Sequence, residues 1–146
     1  MTAQERAREL VDKMNRLPDS QERFLYVISC GKRAPGLPED LKVDAFRIEG
    51  CQSALWMVPE FTDGLCHYRS DSDAFITKGV SSIVCSVYSG STPEEVLALD
   101  EAFLREAGIT EHLTPNRANG LSQLLKKVKG FASLHCPSPP APSGKP

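Results

Sequence analysis

At 146 residues the chain has the length of one domain, and with 40% apolar and 25% charged residues it should bury roughly two-thirds of its unfolded surface without a staple. A formal charge of −2 argues against nucleic acid or an anionic membrane as a partner drawn by bulk electrostatics, so any charged contact has to be local. Cysteines at 30, 51, 66, 85 and 136 form an odd set with no CxxC and no paired histidines, which supports neither a zinc site nor a disulfide framework and fits reduced thiols in a cytoplasmic protein.

Along the chain, Leu10, Val11, Met14 and Leu17 form a short amphipathic pattern that stops at Pro18, and no segment has the length needed to span a bilayer. Asp19 and Glu22 resemble a capping box opening a second helix from about Ser20 to Cys30. Gly31, Pro35, Gly36 and Pro38 make the next stretch a loop, after which Ala45 to Glu49, Ala54 to Val58 and Leu65 to Ser70 read as three strands of an antiparallel meander. Ile76, Val80, Ile83, Val84 and Val87 then recur at helical spacing, with Asp71, Ser72 or Asp73 available as N-cap. Thr92-Pro93-Glu94-Glu95 opens a further helix whose inner stripe is Val96, Leu99, Phe103 and Ala107, with Gly108 as its stop. The last helix buries Leu121, Leu124, Leu125, Val128 and Phe131 and turns Lys126, Lys127 and Lys129 toward water. The expected architecture is α+β, a small three-stranded antiparallel sheet packed against helices, in one domain over residues 1–134. Residues 135–146 are expected to be a disordered proline-rich tail, because they lack the apolar content to offset the entropy of ordering.

The segment Gly50-Cys51-Gln52-Ser53 sits between two of the expected strands. Glycine before the thiol permits a positive φ, and short polar residues after it suit a turn, so Cys51 reads as a nucleophile on display rather than a buried thiol. Cys30 and Cys85 fall in helix patterns and read as small core or near-core residues; Cys66 lies in a strand, where a resolving role stays open although nothing beside it marks a redox pair, and Cys136 precedes the tail. His135-Cys136 resembles the start of a phosphatase loop, but Pro142 stands where the phosphate-clamping arginine belongs. A cysteine hydrolase built on Cys51 with His67 or His112 and Asn116 or Asn119 carries no family signature, yet stays open as an alternative.

Three blocks together resemble the SufE family of sulfur-acceptor proteins: Gly50-Cys51-Gln52-Ser53 with Trp56, Asp71-Ser72-Asp73-Ala74 with Ile76 and Gly79, and His112 to Arg117 leading to Gly120-Leu121. The resemblance covers about Gln21 to Ala132 and leaves out the tail. It implies that Cys51 takes sulfane sulfur, as a persulfide, from a cysteine desulfurase and passes it to an iron–sulfur cluster scaffold. The pyridoxal phosphate belongs to the desulfurase, so no cofactor of this chain's own is expected, and no metal. A thiolate at Cys51 has to be reachable by a partner's loop and shielded from reductants, a shielding to which Leu55 and Trp56 are suited. Arg117 is a candidate to supply positive charge to the thiolate or to an acidic partner surface; its structural role would be a tie to carboxylates or carbonyls. Asp71 and Asp73 read as helix caps whose exposed carboxylates help orient a partner, Trp56 as core filler that supports the loop, and His112 as the maker of a structural hydrogen bond. A pure regulator that stimulates the desulfurase without carrying sulfur uses the same surface but not the thiol. Monomer and homodimer stay open, because a dimer patch and a docking patch read alike in one sequence.

Overall fold

The computed structural model of the chain describes residues 1–136, so the expected disorder of Pro137–Pro146 lies outside the described residues. The first helix, α1 (Ala3–Asn15), begins earlier than the apolar pattern suggests, because Thr2 and Glu5 form a reciprocal capping box. Helix α2 (Ser20–Arg33) starts where expected, with the Asp19 carboxylate accepting from the Glu22 amide at 2.9 Å, and runs past Cys30. Two short 3-10 turns follow, Glu39–Leu41 and Asp44–Phe46.

The sheet has two strands among the described residues, not three. Strands β1 (Leu55–Thr62) and β2 (Leu65–Ser72) pair antiparallel, with Leu55 opposite Ser72 and Thr62 opposite Leu65. Asp63 and Gly64 turn the hairpin, both at positive φ (55° and 78°), as a two-residue primed turn requires. The expected first strand is reduced to one bridge, Arg47 to Trp56, with the Ile48 amide donating to Leu55 O at 2.8 Å. On one side of that bridge the backbone is committed to a 3-10 turn, Arg47 N to Asp44 O. On the other, Gly50 O is taken by the Asn119 side chain, so no ladder can propagate.

Helix α3 (Phe75–Tyr88) is the central element, buried along most of its length. It packs on β2 through the Ser70–Ser81 hydroxyl pair and against α2, where glycines let the backbones approach: a Cβ on Gly31 would run into Phe75 O, and one on Gly79 into Val27 O. The expected helix from Pro93 to Ala107 is two helices, α4 (Pro93–Ala98) and α5 (Ala102–Glu106), because the Asp100 carboxylate accepts from the Ala102 amide and restarts the chain. The Thr92–Glu95 capping box forms as expected, and Gly108 follows α5 at φ 76°. Helix α6 (Pro115–Leu134), capped by Thr114, closes the core with Leu121, Leu124, Leu125, Val128 and Ala132. Lys126 and Lys127 face solvent, but Lys129 does not: its ammonium bonds Leu97 O and Leu99 O and caps the broken end of α4.

Candidate functional site

The two ends of the loop that carries Cys51 are fastened to different parts of the fold. Gly50, at φ 84°, receives the Asn119 amide of α6 on its carbonyl at 2.8 Å. At the other end the Ala54 amide donates to the Asp73 carboxylate at 3.1 Å, while Ala54 O accepts from the Ser72 hydroxyl and the Asp73 amide. Cys51 itself rests on Gly120: a Cβ there would lie 2.6 Å from Cys51 Cβ and 2.7 Å from Sγ. Glycine inside α6 is thus a matter of space, and it is what lets the thiol seat against a helix while staying half-buried. Gln52 is exposed and Ser53 half-buried, so the loop presents its polar residues around the thiol.

Asp71 and Asp73 do not cap α3, whose N-cap is Ala74 with no side-chain cap. Asp73 is the loop anchor just described. Asp71, expected to be exposed, is 5% exposed at the end of β2. Its carboxylate accepts from the Leu37 amide at 2.9 Å and the Ser72 amide at 2.8 Å, and pairs with Lys42 at 3.2 Å and Lys78 at 3.6 Å. Burial alone would push this carboxyl up; the Leu37 amide, Lys42, the Ser72 amide and Lys78 outweigh it and hold the group below the usual carboxylate range. Trp56, opposite Asp71 in the sheet, is half-buried rather than core, with Lys42 and Arg47 stacked toward its ring at 5.7 and 6.0 Å.

Arg117 lies one turn before Gly120 on α6. It is tied to neither a carboxylate nor a carbonyl among the described residues, and no hydrogen bond or ion pair joins it to Cys51. Its buried Nε has no partner and borders a small cavity between α3 and α6 with Thr77, whose hydroxyl is also unpartnered. His112 does not make the expected structural hydrogen bond from Nε2, which is buried and unpartnered; its ring meets Phe24 edge-on, and burial pulls its pKa down.

The remaining cysteines are not built for exchange with Cys51. Cys66 is fully buried, opposite Phe61, six positions along β1 from Leu55 and so roughly 20 Å from the loop end of the strand. A disulfide needs Cα atoms within about 7 Å. Cys85 is buried on α3 and Cys30 half-buried on α2, while Cys136 is buried with its sulfur 3.6 Å from the Glu94 carboxylate. Among the described residues no cluster of three or more His, Cys, Asp or Glu is arranged to hold a metal, and no helix is long and apolar enough to cross a membrane. Sequence reasoning gave Asn119, Gly120 and Ser72 no part in holding the thiol's loop. A glycine inside a strong helical pattern is the available signal for Gly120, and only contact with a distant loop explains it.

Residues 8–132 match the family model described as SufE, Fe-S metabolism associated domain. An uncharacterised SufE-like protein of Rhizobium meliloti (strain 1021) is 31% identical over 135 residues, covering 89% of this chain and 96% of the relative. The solution structure of a hypothetical protein from Thermus thermophilus superposes with a TM-score of 0.75 at 20% identity, over 91% of this chain and 97% of that one, and shows the same fold.

Proposed function

This chain belongs to the SufE family, associated with Fe–S metabolism, and on that premise we propose that it is the sulfur acceptor and activator of a pyridoxal-phosphate cysteine desulfurase, with Cys51 as the carrier. The observation that carries the reading is the seat of Cys51: a half-buried thiol on a loop held at both ends and resting on a side-chain-free step of α6. In the transfer, the Cys51 thiolate attacks the terminal sulfur of the donor's persulfide, the donor's S–S bond breaks, and its cysteine leaves as a thiolate. One S–S bond is made and one broken, so no oxidant is required. The same exchange in reverse sense hands the sulfur to a thiol of the cluster scaffold.

The chain's own residues divide the remaining work. Asn119 and Asp73 fix the loop ends, Gly120 provides the seat, and the partial burial of Cys51 limits collisions with small reductants until a partner engages the loop. Arg117, half-buried one turn before Gly120 on α6, is the cation proposed to meet a partner's carboxylate, and Trp56 with Lys42 and Arg47 supports the strand that follows the loop. The pyridoxal phosphate is the donor's. A cysteine hydrolase would need a base bonded to the thiol, and among the described residues neither His67, opposite Glu60 in the sheet, nor His112 makes such a bond. That favours a carrier over a hydrolase.

Intact mass after incubation with a cysteine desulfurase, pyridoxal phosphate and cysteine tests the proposal. Wild type should gain one sulfur, about 32 Da, removable by reductant, and Cys51→Ser none. No adduct on wild type with desulfurase turnover still stimulated would replace the carrier by a regulator; loss of ester or peptide hydrolysis in Cys51→Ser without any partner would replace it by a hydrolase.

A further inference from the structure

Helices α1, α2 and α3 enclose a cleft of about 500 Å³, none of whose lining residues belongs to the Cys51 loop or to its anchors. The nearly buried Ile83 and Val87 of α3 form its floor, and the half-buried Leu10 of α1 and Tyr26 of α2 its apolar walls. Three cations line the same space, Arg6, Lys13 and Arg33, against one carboxylate, Glu9. Among the described residues none of the three is ion-paired. In a chain whose acids outnumber its bases by 19 to 17, such a cleft is a local reversal of sign.

Neutral partners hold these charges in place. Arg6 donates from Nε to Val87 O at 2.8 Å and from its other nitrogens to Met1 O and the Ser91 hydroxyl, oxygens that carry no formal charge. Lys13 Nζ stands 4.8 Å over the centre of the Tyr26 ring, and Arg33 Nη2 lies 3.8 Å from the Cys30 sulfur in the cleft lining. Cations positioned without a counter-charge are the arrangement that an oxyanion completes. The apolar floor asks for more than an inorganic ion, because a hydrated ion would leave Ile83, Val87 and Leu10 facing water, whereas an organic body removes them from it. There is room for one: a smaller hollow of about 190 Å³ shares Ala34, Pro35, Ser82 and Ser86 with the cleft, and the two serines bond their hydroxyls to Gly79 O and Ile83 O, which keeps that wall low and self-satisfied.

We infer that this cleft binds a small organic anion, an apolar or aromatic body whose carboxylate, sulfonate or phosphate group meets Lys13 and Arg33. A second copy of the chain is the poorer occupant, since an isologous pair here would bring the same unpaired cations of each copy together. The inference does not depend on the sulfur-carrier reading.

NMR titration of the full-length chain with 8-anilinonaphthalene-1-sulfonate tests it, beside two controls that each lack half of the ligand: the neutral N-phenyl-1-naphthylamine, without the sulfonate, and inorganic phosphate, without the rings. The sulfonate should move the amides of Leu10, Tyr26, Ile83 and Ser86 saturably, with a dissociation constant of roughly 10–100 µM, the range that ordinary ligand efficiency gives a molecule of this size. It should also slow the alkylation of Cys30, which lies in the cleft lining, relative to Cys51. Each exposed ion pair is worth roughly two- to fivefold in affinity, so the neutral analogue and the double variant Lys13→Gln/Arg33→Gln should each bind about tenfold more weakly. Both replaced side chains are exposed, so the variant keeps its core. Equal affinity for the neutral analogue, equal affinity for phosphate alone, or shifts confined to residues outside the cleft would each overturn the inference. Cleft shifts that depend on protein concentration with no probe present would also overturn it and assign the cleft to a second copy.

Discussion

A Cβ on Gly120 would lie 2.7 Å from the Cys51 sulfur, whereas one on Gly130, later in the same helix, would meet no atom within 4 Å. The two glycines therefore separate helix propensity from site geometry. Gly130→Ala should stabilise the protein by about 0.5–1 kcal/mol, since alanine loses less backbone entropy in a helix. Gly120→Ala gains the same propensity but has to displace Cys51, so its midpoint in chemical denaturation should not rise, and its single-turnover sulfur acceptance should fall about tenfold or more. Thiol reactivity follows burial in the same way. Burial pushes the Cys85 thiol up to about 12, leaving roughly one thiol in 10⁴ ionised at pH 8, and it raises Cys66 as well. Brief alkylation at pH 8 followed by peptide mapping should therefore label the half-buried Cys51 and Cys30 and leave Cys66 and Cys85 intact.

At the level of elements, the Cys51 loop behaves as a clamp between α6 and the end of β2. Asn119→Ala removes the bond to Gly50 O, worth about 1 kcal/mol, and should raise the alkylation rate of Cys51 roughly fivefold through local opening, with global stability lowered by no more than that same amount. At the other end Asp73→Ala should act alike, whereas Asp73→Asn, which keeps an oxygen for the Ala54 amide, should not. Equal rates in all three variants would mean the loop is held by packing instead. The broken α4–α5 pair shows the same dependence on partners outside the element. The periodicity of Val96, Leu99, Phe103 and Ala107 runs straight through the break, but Asp100 satisfies the Ala102 amide, and Leu99 O accepts from both Tyr88 and Lys129. Propensity and stripe are continuous there; the hydrogen bonds are not.

For the molecule as a whole, Asp71 ties the 36–42 segment, β2 and α3 into one body through Leu37, Lys42 and Lys78. Its pKa is lowered in the folded state, so its contribution is complete above the ordinary carboxylate value of about 3.9 and disappears as pH falls through the lower, folded value. Asp71→Asn leaves two lysines without their buried counter-charge and should cost about 2–4 kcal/mol at pH 7. Denaturant titrations at several pH values should show the gap between wild type and variant shrinking below about pH 4. A gap unchanged down to pH 2 would show that the loss is one of shape rather than charge.

The α+β class, the starts of α2 and α4 and the glycine-led turn that carries Cys51 were legible in the chain before it folds. Each of these rests on local chemistry: a cap three residues from its partner, a stripe at helical spacing, a glycine before a thiol in a polar turn. Folding in three dimensions was needed to end the third strand at one bridge, to make Asp71 a buried charge hub rather than a cap, and to bring Gly120 and Asn119 into the thiol's site. In every one of those cases the deciding partner is distant in the chain: Asn119 bonds Gly50, Leu37 bonds Asp71, and Gly120 seats Cys51. Residues so far apart meet only when the core closes, and no local pattern records which of them will share a hydrogen bond or need the space of a missing side chain.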